Sequence, residues 1–367
     1  MSNLLKDIYS PLFYEKFSGV LKSTIPSFDD VKFKKLIFND EFQTYELKER
    51  MTHTAKVLHC FLPTEFDKAS KTLFNIIEKL RISNAKEDGF EYMFLPEYIS
   101  MYGLNDYESS ISALEFITQF VSCEFAVRPY ILKYEKKMLQ QMLSWSRHES
   151  SKVRRLASEG SRPRLPWAIA LPGLKKSPEP LLAILHNLKQ DSSETVRRSV
   201  ANNLNDISKD NPEFVIDVVQ SWKAVTKETD ALLKHACRTL LKKGDKKALE
   251  IFGFDSHSIQ LIDFKIITPK VNMGGELQFS FSISNTNSKK QMARLEYGLY
   301  YKKQNGKLSK KVFKISEREI EGNKSFQILK KQSFKLITTR KYYSGLHQLS
   351  IIINGQESEV KEFEFSI

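Results

Sequence analysis

The spacing of apolar residues changes once along this chain, and that single change restricts the folds open to it. From Leu4 to about Phe252 apolar side chains recur at helical intervals, as in Phe116, Phe120 and Cys123 or in Leu132, Met138, Leu139 and Met142, and glycine is sparse. After about Ser256 the pattern becomes alternation, as in Leu277-Gln278-Phe279-Ser280-Phe281-Ser282-Ile283 and Leu295-Glu296-Tyr297-Gly298-Leu299-Tyr300-Tyr301. The dipeptides Asn305-Gly306, Glu321-Gly322 and Asn354-Gly355 punctuate it as turns. A helical half followed by about seven short strands is expected.

Within the helical half, Val153-Arg154-Arg155 stands 43 residues before Val196-Arg197-Arg198, and Val196 stands 36 before Leu232. Such intervals suit stacked HEAT-type helix pairs. Asn211-Pro212 reads as a helix start, and Lys242-Lys243-Gly244 as a basic last turn with a glycine stop. The expected fold class is multidomain, α then β. An α-solenoid of HEAT-like helical repeats over residues 1–254 precedes an immunoglobulin-like β-sandwich over residues 255–367. Stacked pairs create a concave surface, along which Arg154, Arg155, Arg197 and Arg198 would string positive charge suited to a duplex backbone.

The charge balance points the same way. Fifty-seven Lys and Arg against 44 Asp and Glu leave +13, which calls for a polyanionic partner. Nucleic acid is favoured over a membrane surface because no basic amphipathic anchor is evident. Residues 251–367 hold 19 basic against 11 acidic side chains, concentrated at Lys302, Lys303, Lys307, Lys310 and Lys311 and at Lys330-Lys331. These lysines either grip phosphates or form a solvated edge that discourages strand pairing. The cysteines, Cys60, Cys123 and Cys237, are far apart and read as buried small hydrophobes in a reducing compartment. With no signal-like segment and no apolar run near the roughly 18 residues of a membrane span, a cytoplasmic protein is expected. The scattered histidines make no metal-ligand set, so neither metal nor cofactor is expected. GxxxxGK[ST], GxGxxG and GxSxG motifs are also missing, which sets aside nucleotide-dependent and covalent serine mechanisms.

The densest chemistry lies in Val153-Arg154-Arg155-Leu156-Ala157-Ser158-Glu159-Gly160-Ser161-Arg162-Pro163-Arg164-Leu165-Pro166-Trp167. A helix over 153–160 should end at the glycine, and the two prolines should make 162–166 a rigid extended connection returning Trp167 toward the helix. Glu159 lies one turn after Arg155. Taken singly, a Glu near an Arg is a surface pair and a Trp after Pro is a core anchor. Arginines alternating through the turn between them favour a functional reading.

This segment closely resembles the signature of the AlkC-type DNA-3-methyladenine glycosylases, in the HEAT-like repeat superfamily that also includes AlkD. Glu124-Phe125-Ala126-Val127-Arg128-Pro129-Tyr130, Phe94-Leu95-Pro96-Glu97-Tyr98-Ile99 and residues 41–53 are similar to further blocks of that family. The resemblance implies a monofunctional glycosylase that releases cationic N3-alkylated bases, 3-methyladenine and 3-methylcytosine, from double-stranded DNA without deep base flipping. It would act as a monomer without an obligate protein partner. Carboxylates can stabilise the oxocarbenium-like transition state and orient water, and an aromatic face can stabilise the cation. The resemblance assigns Glu124, Glu159 and Asp206 as the acidic cluster and Trp167 as its aromatic partner. Lys152, Arg154, Arg155, Arg162, Arg164, Arg197 and Arg198 would contact phosphates. On local grounds alone, Glu124 is a helical acid paired with Arg128 or raised by burial, and Asp206 is a capping side chain. A non-catalytic repeat scaffold, or a glycosylase preferring 7-methylguanine, remains open.

Overall fold

The computed structural model describes residues 4–255, 257–338 and 340–367. Fifteen α-helices occupy the first part of these residues. They are α1 (Pro11–Thr24), α2 (Asp30–Ile37), α3 (Leu47–His59), α4 (Phe66–Ile82), α5 (Phe94–Tyr102), α6 (Tyr107–Ile117), α7 (Arg128–Trp145) and α8 (Ser151–Glu159). After them come α9 (Pro172–Lys176), α10 (Leu182–Leu188), α11 (Glu194–Ile207), α12 (Pro212–Trp222), α13 (Lys227–Ala236), α14 (Arg238–Lys243) and α15 (Lys246–Ile251). None is long and apolar enough to cross a membrane. Contacts divide the chain into two compact units, residues 1–211 with 223–236, and residues 212–222 with 237–367.

In the first unit the helices pack as successive layers, α8 against α7 and α11, and α11 in turn against α13. Val153, Leu156, Ala157, Val196, Val200, Leu204, Leu232 and Leu233 form their buried stripes, as the helical period requires. The repeat is real down to its loops. Arg154 Nη1 donates to the carbonyls of His148 and Glu149 at 2.9 and 2.6 Å, six and five residues back. Arg197 Nη1 does the same to Asp191 and Ser192 at 2.6 and 2.9 Å. The third copy departs from the expected 36-residue step, because α13 starts at Lys227, 33 residues after α11 starts at Glu194. Asp230 then takes the arginine's place with reversed polarity, accepting from the Ala224 N–H at 2.9 Å.

In the second unit, Gly244 caps α14 with a left-handed φ of 75°, as the basic turn before it suggested. Among the described residues nine strands follow: β1 (Ile259–Ile266), β2 (Lys270–Asn272), β3 (Glu276–Asn285), β4 (Gln291–Lys302), β5 (Leu308–Ile320), β6 (Ser325–Ser333), β7 (Gly345–Ile353), β8 (Gln356–Glu357) and β9 (Lys361–Ser366). They make a three-stranded sheet, β1-β3-β6, and a second sheet, β2-β9-β7-β4-β5, with β8 on β7. Leu277, Phe279, Phe281 and Ile283 of β3 and Leu349, Ile351 and Ile353 of β7 alternate into one shared core. The two short strands β2 and β8 account for the excess over seven; nothing in three or two residues of sequence has a period to read. Asn354 and Gly355, with φ of 44° and 80°, make the β7–β8 turn in the left-handed conformation that dipeptide favours.

Candidate active site

The C-terminal end of α8 is the centre of the site. Gly160 follows Glu159 with right-handed φ and ψ, so it is not a left-handed stop. It is glycine for want of space: a Cβ there would lie 2.5 Å from Val127 Cγ1. That close approach brings Glu159 beside the segment before α7 and the side of α11. Residues 160–169 are a run of turns, where the sequence suggested an extended connection. The Leu171 N–H donates to the Pro163 carbonyl at 3.2 Å and closes the loop.

Opposite charges alternate through the site. Arg155 Nη2 lies 2.8 Å from Glu124 Oε2 and 3.9 Å from Glu159 Oε1. Arg162 then bridges Glu159 at 2.7 Å and Asp206 at 2.8 Å, and Lys209 reaches Asp206 at 2.8 Å. Ser199 Oγ donates to Glu159 Oε2 at 2.6 Å. Glu159, Asp206 and Arg162 are buried, at 6, 1 and 8 % exposure. Burial alone would lower Arg162; Asp206 and Glu159 outweigh it and hold the guanidinium above its ordinary range. Removing either partner of such a buried pair costs about 3–5 kcal/mol, because the other charge is left unpaired out of water.

Glu124 and Arg155 sit differently. Both are half-buried and line a cavity of about 470 Å³ with Phe90, Ser122, Phe125 and Lys152. Glu124 lies in a turn between α6 and α7, not in a helix as its apolar surroundings suggested. Its ion-pair partner is Arg155, not the nearby Arg128. Trp167 is 62 % exposed and holds a φ of 66°. Its carbonyl accepts a hydrogen bond from Lys48 Nζ, which also stands 5.4 Å from the Phe125 ring centroid.

The structure brings together Glu124, Arg155, Glu159, Arg162 and Asp206, with Lys152 on the same cavity wall, and ties Arg154, Arg164, Arg197 and Arg198 up elsewhere. Arg154 is bidentate on the Asp191 carboxylate at 2.6 and 3.0 Å. Arg164 grips Asp210 in the same way at 2.7 and 2.5 Å, which holds that carboxyl below its usual range. Lys152 is engaged by Glu87 at 2.8 Å and Asp88 at 3.2 Å. Arg198, paired with Glu194 at 2.5 Å, projects into solvent from α11, whereas Arg197 faces its own loop. Sequence reasoning did not single out Ser122, Phe125, Ser199 or Lys48: Phe125 and Lys48 lie within blocks that resemble the family, whereas Ser122 and Ser199 are ordinary polar residues with no local signal. Among the described residues, no three His, Cys, Asp or Glu side chains gather as metal ligands.

The chain as a whole has a counterpart among solved structures. The Pseudomonas fluorescens alkylpurine DNA glycosylase AlkC, in its structure bound to DNA containing an abasic site analog, superposes with a TM-score of 0.92 and 32 % sequence identity over 99 % of both chains. The chain belongs to the AlkC family of DNA alkylation repair enzymes. The chain is also similar to the Bacillus subtilis (strain 168) uncharacterized protein YhaZ, 42 % identical over 361 residues, 98 % of this chain and 99 % of that one. The family model for DNA alkylation repair enzymes matches residues 112–240, which hold the whole alternating cluster of this AlkC relative. The model for the YhaZ C-terminal Ig-like domain matches residues 260–367, the β-sandwich.

Proposed function

We propose that this chain is a monofunctional DNA glycosylase that hydrolyses the N-glycosidic bond of cationic N3-alkylated bases, 3-methyladenine and 3-methylcytosine, in double-stranded DNA without deep base flipping. It would work as a cytoplasmic monomer. The observation that carries this reading is the Glu124–Arg155–Glu159–Arg162–Asp206 chain of alternating charge, one end of which opens on a cavity. In the free protein each acid is neutralised by an arginine. A phosphate that draws Arg155 away frees Glu124, whose ion-pair partner it is, to face a positively charged base, while Glu159 stays held by Arg162 and Ser199; the duplex itself thus unmasks negative charge at the cavity.

Such a base needs little acid catalysis. Water attacks C1′ and the C1′–N bond breaks with its electron pair passing to the base, which leaves uncharged. The proton lost by water goes to a carboxylate, for which the half-buried Glu124 is better placed than the fully buried Asp206. Trp167 offers its face to the sugar cation. Lys152 and Lys209, held by carboxylates, are poorly placed as Schiff-base nucleophiles, which supports hydrolysis without strand cleavage.

Single-turnover incubation with DNA carrying 3-methyladenine, 3-methylcytosine or 7-methylguanine tests this directly. Release of the two N3-methylated bases, with the strand intact until alkali treatment, is expected. Glu124→Gln should slow release about 100-fold. No released base at all would leave a DNA-binding scaffold, and faster release of 7-methylguanine would overturn the N3 preference.

A further inference from the structure

Arg128 opens α7 and is completely buried, yet among the described residues no carboxylate is bonded to it. Its guanidinium is given over to main chain. Nε donates to the Ile169 carbonyl at 2.6 Å, and Nη1 donates to those of Gly160 and Arg162 at 2.9 and 2.8 Å. Nη2 is buried without a partner. Burial first, and the neighbouring Arg162 second, lower its pKa to about 10, so it stays protonated at neutral pH. A buried cation that tolerates both desolvation and a like charge is expensive to maintain, and a methionine would fill the volume more cheaply.

What the guanidinium achieves is geometric. The three carbonyls it holds are the two ends and the third residue of the loop that carries Arg162 and Trp167. α7 is itself anchored by Tyr130, whose hydroxyl bonds the Ile99 carbonyl at 2.8 Å and Ser110 at 2.9 Å. Resting on the glycosylase reading above, we propose that Arg128 is a positioning residue: it fixes the 160–169 main chain so that the Arg162 guanidinium meets Glu159 and Asp206 and Trp167 is held in its left-handed conformation. Only a planar fork reaches carbonyls on both sides of such a loop; an ammonium keeps the charge and loses the span.

The test compares Arg128→Lys and Arg128→Met in the full chain, well below their melting temperatures. For Arg128→Lys, single-turnover release of 3-methyladenine should fall on the order of 100-fold, while affinity for duplex DNA changes less than about threefold. The second readout is independent of catalysis. Trp145 and Trp222 are buried, so iodide quenches mainly Trp167; quenching should change in both variants and be restored in neither. A lowered melting temperature with unchanged rate and quenching would reduce Arg128 to a stability role and overturn the proposal. If the unsubstituted chain releases no base, the glycosylase reading fails by itself, and the Trp167 quenching still decides whether Arg128 sets the loop.

Discussion

A tryptophan held at a left-handed φ with its ring in solvent is kept against its own preferences. The conformation costs about 1–2 kcal/mol for a residue with a Cβ, and Trp167 recovers little of that through burial. Trp167→Gly should therefore leave the melting temperature unchanged or slightly raised while base release falls at least about tenfold. A clear loss of stability in calorimetry would restore the core-anchor role that a Trp after a proline suggests. The same segment shows how far single residues were legible. The acids and arginines were readable as a group because they crowd one helix end, and a family resemblance linked Glu124 and Asp206 to them. Their pairing was not readable: Arg162 meets Glu159 three residues away and Asp206 44 residues away, and only the packing of α8 on α11 decides that one guanidinium serves both.

At the level of elements, helical period located α8 and α11 and strand alternation located β3 and β4, because each buries one face against a continuous core. Paired arginines were misleading for a physical reason. Residues adjacent on a helix face directions about 100° apart, so in each repeat the first arginine turns into the preceding loop and the second does not. Arg154→Met should accordingly cost about 2 kcal/mol, since it takes the guanidinium from the Asp191 carboxylate and leaves it the Ser193 N–H, and should leave the salt dependence of DNA binding unaltered. Urea unfolding and a salt titration separate that result from loss of a phosphate contact. The sandwich has a weak point of its own at β7. His347 is fully buried with Nε2 unpartnered, packed among Tyr301, Phe334, Phe363 and Phe365. Burial lowers its pKa, Lys302 adds to this and the Gly345 carbonyl opposes it. The unfolded chain thus binds the proton more readily: stability is full above the unfolded value of about 6.5 and falls as pH drops below it toward the folded value. Amide exchange in β7 should accelerate over that window, and His347→Phe should abolish the acceleration; an equal response in the variant would place the titrating group elsewhere.

Across the whole molecule, the net charge of +13 is less available than its size suggests, because most arginines near the acidic cluster already have carboxylate partners. The larger excess lies in the C-terminal part, where the β4–β5 hairpin closes through Lys303 and Lys307, the Lys303 N–H donating to the Lys307 carbonyl at 2.9 Å. Both lysines are exposed at the tip. Lys310 and Lys331 are instead tied to Glu357 and Glu276 along the strands. If the tip meets phosphate, each lysine there releases about 0.9 of a counterion on binding, whereas a lysine that only protects an edge strand releases none. Changing both Lys303 and Lys307 to Gln should then flatten the slope of log affinity against log salt by about 2, with equal loss for damaged and undamaged duplex. Fluorescence anisotropy between about 50 and 200 mM salt measures it, and an unaltered slope would assign these lysines to solvation of the sandwich edge.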